Sequence, residues 1–166
     1  MYQIHDVKPV QNQVPEHTIS LADREQLLRG ECVKVRLNDE EILEFSVKKA
    51  DSEDIWKNIP QKKYTKWLDY DKIKDSIVVR TRKAGDYLTI DLSGGELRKK
   101  TLKSYFIDNK VPGEQRGALF LVTEGSHVLW IVGGRISSYY KVSDNTKRIL
   151  ELRLIKEIKN GKDKGV

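Results

Sequence analysis

The sequence has few of the residues that build disulfide frameworks, metal centres or membrane spans. Its 166 residues include one cysteine, Cys32, which excludes an internal disulfide framework and is typical of a reducing compartment. The three histidines, His5, His17 and His127, are scattered and predict no metal site. No apolar run approaches the roughly 20 residues of a membrane-spanning helix, and the N-terminus lacks the basic-then-apolar order of a signal peptide. We therefore expect a soluble cytoplasmic protein.

Charge is abundant, and it is unevenly distributed. The chain has 31 Lys and Arg against 25 Asp and Glu, a net charge of +6. Residues 1–79 hold 13 basic and 15 acidic side chains, whereas residues 80–116 hold nine and five, and residues 141–166 hold eight and four. A basic excess confined to the second half suits a polyanionic partner, nucleic acid above all, although a solubilising surface would also account for it.

Hydrophobic periodicity predicts a β-rich α+β fold with two or three helices. A helix at 21–28, capped by Ser20 or Thr18, precedes a hairpin of strands at 32–37 and 42–47. The remaining strand candidates are 64–68, 77–80, 87–90, 118–122, 128–132 and 136–139. Leu102, Tyr105 and Phe106 follow the spacing of one helix face within 99–109. Residues 146–159 are predicted as a helix or a long strand, because their apolar residues fit neither period cleanly. Strands and helices do not alternate regularly, which disfavours a doubly wound fold.

The same pattern divides the chain into four segments. Residues 1–17 are interpreted as a tail or linker remnant, residues 18–75 as a strand-rich lead-in, residues 76–160 as a C-terminal domain, and residues 161–166 as a disordered tail.

No motif predicts catalysis. Ser93, Gly94 and Gly95 resemble the start of a pyrophosphate-binding loop, but they lack the preceding buried strand and the following helix that such a loop requires. Ser126 and His127 are adjacent, so in a strand their side chains would point to opposite faces. We therefore expect a simple loop at 93–95, no catalytic residue and no bound cofactor.

Spaced groups of cations are the strongest functional signal. Apolar segments separate these groups, so a folded core could present them on one face as a nucleic-acid-binding surface. Asp86 could form an internal ion pair that orients the neighbouring arginines. The aromatic residues Trp67, Tyr105, Phe106 and Trp130 are expected in the core. The predicted binding residues are Arg80, Arg82, Lys83, Lys99, Lys100, Lys103, Arg116 and Arg135.

At these residues the chain resembles the C-terminal region of bacterial tRNA(Ile)-lysidine synthetase. The resemblance covers about 75 residues. It is carried by the segments 64–73, 79–86, 100–108, 111–112, 116 and 129–137. The chain departs from the usual pattern at Thr101, Gly113, Gly117 and Phe120, which weakens the assignment of Arg116 more than that of Arg82 or Lys103.

The resemblance implies a function and a fold. The family uses ATP, with Mg²⁺, to attach lysine to the wobble cytidine of the isoleucine tRNA with a CAU anticodon. Its chemistry lies in an N-terminal catalytic domain with a Ser-Gly-Gly-x-Asp-Ser loop, which this sequence lacks. The C-terminal region would hold the tRNA around its acceptor stem, through a layered β-sandwich of the kind shared with the phenylalanyl-tRNA synthetase β subunit. The fragment alone would then be inactive.

Two other roles remain open at this point. The region could be a structural domain that packs on its own N-terminal catalytic domain without touching tRNA, or the hairpin 32–47 could bind a protein. The sequence also leaves open a homodimer.

Overall fold

Two β-sheets form the framework of the computed structural model, which describes residues 16–50 and 55–157. The order of strands is β1-β5-β8-β9-β6-β7 in the six-stranded sheet and β2-β3-β10-β4 in the four-stranded sheet. The strands are β1 (His17–Thr18), β2 (Val33–Arg36), β3 (Glu41–Lys49), β4 (Thr65–Asp69), β5 (Ile77–Arg80), β6 (Tyr87–Asp91), β7 (Leu97–Thr101), β8 (Leu121–Glu124), β9 (His127–Ile131) and β10 (Arg148–Lys156). All neighbours are antiparallel except β6 and β9, which run parallel.

The helices in the described part of the chain are short. They are α1 (Leu21–Leu28), α2 (Leu102–Asp108) and α3 (Gly113–Arg116), together with 3-10 turns at Ile55–Asn58, Tyr70–Lys72 and Ser138–Tyr140. Ser20 caps α1 by accepting from the Asp23 amide, while the Asp23 carboxylate accepts from the Ser20 amide, a reciprocal capping box. None of these helices is long and apolar enough to cross a membrane.

The two sheets pack on each other through one large core. Phe45, Leu68 and Leu152 of the four-stranded sheet join Val122 and Trp130 of the six-stranded sheet in a single buried cluster. Alternate residues of a strand point to opposite faces, so the six-stranded sheet can also carry a second core on its other side.

The second core attaches α2 to the outer face of the six-stranded sheet. Leu102 and Phe106 of the helix lie buried against Leu88, Leu121 and Val128 of the sheet. The result is a β-rich α+β fold, as the sequence pattern predicted, arranged as the layered β-sandwich that the resemblance implied, with a helix added on one face. This packing holds the start of α2 beside the start of β6, where Thr101 pairs with Tyr87.

Several local predictions are confirmed. Helix α1 has the predicted bounds, and β2 and β3 form the predicted hairpin. The segment that fitted neither period cleanly, 146–159, contains a strand: β10 pairs with β3 from Arg148 to Lys156 and with β4 on its other side. Its inward-facing Leu150 and Leu152 are fully buried, so tertiary packing selected the extended form.

Other predictions need correction. The strand predicted at 136–139 is wrong, because Ile136 makes only an isolated bridge to Trp130 and Ser138–Tyr140 is a 3-10 turn. The helix predicted at 99–109 begins at Leu102, since residues up to Thr101 pair with β6. Strand β8 starts at Leu121, three residues later than predicted. The tail predicted at 1–17 is described only at residues 16 and 17, of which His17 begins β1, and the tail predicted at 161–166 lies outside the described residues.

Candidate nucleic-acid interface

A buried ion pair fixes the loop that connects β5 to β6. Arg80, the last residue of β5, donates from both terminal nitrogens to the Asp86 carboxylate, at 2.9 and 2.8 Å. The two side chains are 6% and 1% exposed. Arg80 also donates to the carbonyls of Thr81 and Gly125, and Asp86 accepts from the Lys83 amide at 2.7 Å. Residues 81–85 are therefore held from both ends.

The loop turns sharply at Gly85, whose φ of +90° lies in the left-handed region that favours glycine. The Asp86 amide donates to the Lys83 carbonyl at 3.2 Å across this turn. As a consequence Arg82 and Lys83 are presented on an exposed, fixed loop.

Helix α2 brings a further cation to the same place. Thr101 caps the helix by accepting from the Ser104 amide at 3.1 Å, and the Leu102 amide donates to the Asp86 carbonyl at 2.9 Å. This last bond ties the start of α2 directly to the end of the 81–85 loop. Lys103, the next residue, is exposed there.

These elements enclose a cleft of about 610 Å³, called the basic cleft below. Its lining comprises Arg82, Lys83, Ala84, Gly85, Asp86, Thr101, Leu102, Lys103 and Arg116. Four of these residues are cations, from the loop, from α2 and from α3. The one carboxylate is buried and already paired with Arg80, so the exposed lining is strongly positive.

Three of the four cations in the basic cleft make a contact that holds them in place. The Arg82 guanidinium lies 5.9 Å from the centre of the Phe106 ring, at the edge of the second core. Lys83 forms an exposed ion pair with Glu16. Arg116 donates its Nε to the Val111 carbonyl at 2.8 Å. An arginine anchored through Nε can direct its terminal nitrogens toward a phosphate.

The structure places the other four predicted residues elsewhere. Arg80 is 5% exposed, so its role is to hold the 81–85 loop from behind. Lys100 is bonded to Asp108 of α2. Lys99 lies on the other side of the β6–β7 hairpin, with its Nζ 4.1 Å from the Tyr87 ring centre, and Arg135 donates to the Ile136 carbonyl and to Ser138.

Sequence reasoning missed a group of aromatic rings on that other side. Tyr87, His127, Tyr139 and Tyr140 form a continuous set of ring contacts, called the aromatic ridge below. Burial lowers the pKa of His127, and burial together with the Glu124 carboxylate raises the pKa of Tyr140. Tyr87 and Tyr139 lie at the ends of the predicted strands 87–90 and 136–139, and the sequence pattern does not show that these ends meet His127 of β9.

The loop predicted at 93–95 has a clear structural role. Gly94 and Gly95 form the β6–β7 turn with φ values of +91° and +80°, closed by a bond from the Leu92 amide to the Glu96 carbonyl at 2.7 Å. Within residues 16–50 and 55–157, no three His, Cys, Asp or Glu side chains are grouped to hold a metal ion.

Comparison with known proteins shows what this region is similar to. Residues 77–154 match the TilS substrate C-terminal domain. The tRNA(Ile)-lysidine synthase of Caldanaerobacter subterraneus subsp. tengcongensis is 42% identical over 95 residues, which is 57% of this chain and 20% of that protein. The Clostridium tetani enzyme of the same name is 42% identical over 97 residues, with 58% and 20% covered.

A solved structure shows the same similarity at the level of the fold. The crystal structure of a TilS C-terminal domain matches with a TM-score of 0.55 and 21% identity, covering 75% of this chain and 90% of that one. Residues 77–154 are therefore similar to the substrate C-terminal domain of TilS, and the chain is similar over this region to proteins named tRNA(Ile)-lysidine synthase. The solved structure shows a likeness of fold alone. The chain spans about a fifth of the length of the curated relatives it matches.

Proposed function

We propose that this domain binds tRNA through the basic cleft and holds it for modification by a catalytic domain. The observation that carries the proposal is convergence: Arg82, Lys83, Lys103 and Arg116, from three separate elements, line one cleft. The relatives are named for the isoleucine tRNA, and a tRNA is a polyanion with a phosphate at every nucleotide. The substrate in this proposal is that tRNA, with its CAU anticodon.

The chemistry of the cleft suits phosphate contacts. Arginine can donate two parallel hydrogen bonds to one phosphate, whereas lysine supplies a mobile point charge. Such contacts set the position of a nucleic acid without reading its sequence. A loop fixed by Arg80 and Asp86 needs little ordering on binding, which favours affinity.

The remaining predicted cations have a supporting role in the proposal. Lys99 and Arg135 are on surfaces next to the cleft rather than in it, and Lys100 is engaged with Asp108. Arg80 acts as a positioning residue. Loss of Lys100 should therefore matter less for binding than loss of Lys103.

In this scheme the domain binds the tRNA, and the rest of the enzyme catalyses the modification. ATP with Mg²⁺ and the lysine substrate would be used by the N-terminal catalytic domain of the full-length enzyme, in the cytoplasm. The domain alone would then bind tRNA without modifying it.

Charge reversal tests the proposal. Arg82→Glu and Lys103→Glu are each expected to weaken binding of an isoleucine tRNA transcript at least tenfold at moderate salt, as measured by filter binding or fluorescence anisotropy. Lys34→Ala is the control: Lys34 is an exposed lysine of β2 in the other sheet, opposite Glu44. Its affinity should match that of the unaltered protein.

The alternative role, packing on the catalytic domain, predicts a different result. It requires that neither reversal changes tRNA affinity and that the domain binds a separately produced catalytic domain tightly. Undiminished tRNA binding by both Arg82→Glu and Lys103→Glu would refute the proposal.

A further inference from the structure

The aromatic ridge is an ordered stack of rings on the surface beside the basic cleft. Tyr87 and His127 are stacked, with ring centres 4.6 Å apart and planes 22° apart. Tyr140 lies 4.8 Å from His127, and Tyr139 meets Tyr140 edge-on at 5.0 Å. Tyr139 ends the ridge and is 39% exposed, whereas Tyr140 is fully buried. The ridge therefore has a buried base and an open end.

Hydrogen bonds hold the base of the ridge rigidly. His127 contacts the Ser137 hydroxyl at 2.8 Å through Nε2 and the Tyr140 hydroxyl at 3.1 Å through Nδ1. The Tyr140 hydroxyl donates to Glu124, which in turn accepts from the amides of residues 74 and 75.

The open end is fixed through its backbone. The Tyr139 amide donates to the Thr89 hydroxyl at 2.9 Å, and the Tyr139 carbonyl accepts from Lys72 Nζ at 3.0 Å. The backbone of Tyr139 is thus fixed, although its exposed ring does not contribute to the hydrophobic core.

Cations border the ridge on both sides. Lys99 Nζ lies 4.1 Å from the centre of the Tyr87 ring, and Lys72 Nζ lies 5.1 Å from the centre of the Tyr139 ring. Arg135 is anchored on Ser138 nearby. The acidic groups are Glu124, bonded to Tyr140, and Asp91, bonded to Lys141. Positive charge therefore predominates around the exposed ring.

The ridge and the basic cleft meet at one residue pair. Tyr87 of the ridge follows Asp86 of the cleft and pairs in register with Thr101, which also lines the cleft. Lys99 lies two residues before Thr101, about 7 Å along the strand. An RNA held in the basic cleft would have its next nucleotides within reach of the ridge.

We propose that the aromatic ridge stacks an unpaired base of the bound RNA on Tyr139, with Lys72 and Lys99 contacting the adjoining phosphates. Stacking on an exposed ring next to cations is how proteins grip single-stranded nucleic acid, because every base has a flat face. Bases inside a duplex are already stacked, so the ridge would select the point where a duplex gives way to a single strand. The inference rests on the proposed function, since the basic cleft supplies the duplex contacts.

Two RNA probes separate this inference from the proposed function. One is a blunt RNA hairpin, and the other is the same hairpin with four unpaired 3′ nucleotides that include 2-aminopurine; a 5′ overhang serves as a third arm. The unaltered protein should bind an overhang RNA more tightly than the blunt one and should quench the 2-aminopurine fluorescence. Tyr139→Ala is expected to lose about 5- to 100-fold in affinity for the overhang RNA and to leave blunt binding unchanged.

Tyr139→Phe is the matched control, because it keeps the ring and should retain both the affinity and the quenching. Equal affinity of the unaltered protein for blunt and overhang RNA, or an equal loss for both RNAs in Tyr139→Ala, would overturn the inference while leaving the proposed function intact. If neither RNA bound to the unaltered protein, the proposed function itself would fail. Should Tyr139→Ala not fold, the quenching by the unaltered protein still decides the question.

Discussion

Arg80 and Asp86, six residues apart, form a two-pronged buried ion pair that closes the 81–85 loop. The same guanidinium reaches the Gly125 carbonyl at 3.1 Å, and the same carboxylate accepts the Lys83 amide at 2.7 Å. The pair thus joins β5, the loop and the β8–β9 turn. It links stability to the proposed function, because the loop that it fixes carries two of the four cations of the basic cleft.

Asp86→Asn should destabilise the domain by about 3–5 kcal/mol, since it leaves the buried Arg80 charge without its partner. Urea unfolding followed by circular dichroism measures the change. The control is Asp91→Asn, which removes an exposed carboxylate paired with Lys141 and should cost no more than about 1 kcal/mol. Equal unfolding midpoints for the two variants would contradict the assigned role of Asp86.

Gly85→Ala should cost about 1–2 kcal/mol and weaken tRNA binding, because a φ of +90° strains any residue with a β-carbon. No atom lies within 4 Å of the added carbon, so the backbone alone sets the cost. Gly117→Ala is a matched control: its added carbon also meets nothing, but its φ of −79° is helical. Thermal melting should show a loss for Gly85→Ala only.

The salt dependence of tRNA binding should distinguish the cleft lysine from its paired neighbour. Lys103→Ala is expected to reduce the slope of log affinity against log salt concentration by about one, the value for one lost phosphate contact. Lys100→Ala should change that slope much less, because Lys100 is already bonded to Asp108. The measurement is a salt titration of binding, and equal slopes for both variants would count against the basic cleft.

Acidification should destabilise the domain through His127. Its pKa is lowered from an ordinary value of 6.5 mainly by burial, and Lys99 adds to the effect while Glu124 opposes it. Because the unfolded chain then binds this proton at a higher pH than the folded one, the contribution of His127 is complete above pH 6.5 and is lost as the pH falls below that value. Urea midpoints measured from pH 7.5 to 5 should fall more steeply for the unaltered protein than for His127→Asn. Parallel profiles would show that the histidine is not involved.

Local sequence chemistry predicted the elements that depend on neighbours in the chain. Ser20 caps α1 as expected, and the short spacing between Arg80 and Asp86 correctly indicated an internal ion pair. The prediction for 136–139 was wrong because apolar residues there fill the core from a bridge and a 3-10 turn, without a strand partner. Over four residues, hydrophobic periodicity does not distinguish a short strand from a bridge followed by a 3-10 turn.

For the binding residues, too, the sequence predicted some properties and the tertiary structure decided the others. Their residue types and order along the chain pointed to a polyanion, and the resemblance pointed to tRNA. The sequence could not show that Arg80 faces inward or that Lys100 is engaged by Asp108. Nor could it bring Tyr87, His127 and Tyr139 together, since they lie on separate segments of the chain.

The sequence by itself determined the β-rich character of the chain, its basic second half, its caps and turns, and its resemblance to a known family. The tertiary structure alone decided which cations line the basic cleft and which are buried or engaged in ion pairs elsewhere. The physical reason is that charge and propensity are local properties, whereas burial and partnership depend on which strands pair. Register in a sheet places residues far apart in the chain within a few ångströms of each other.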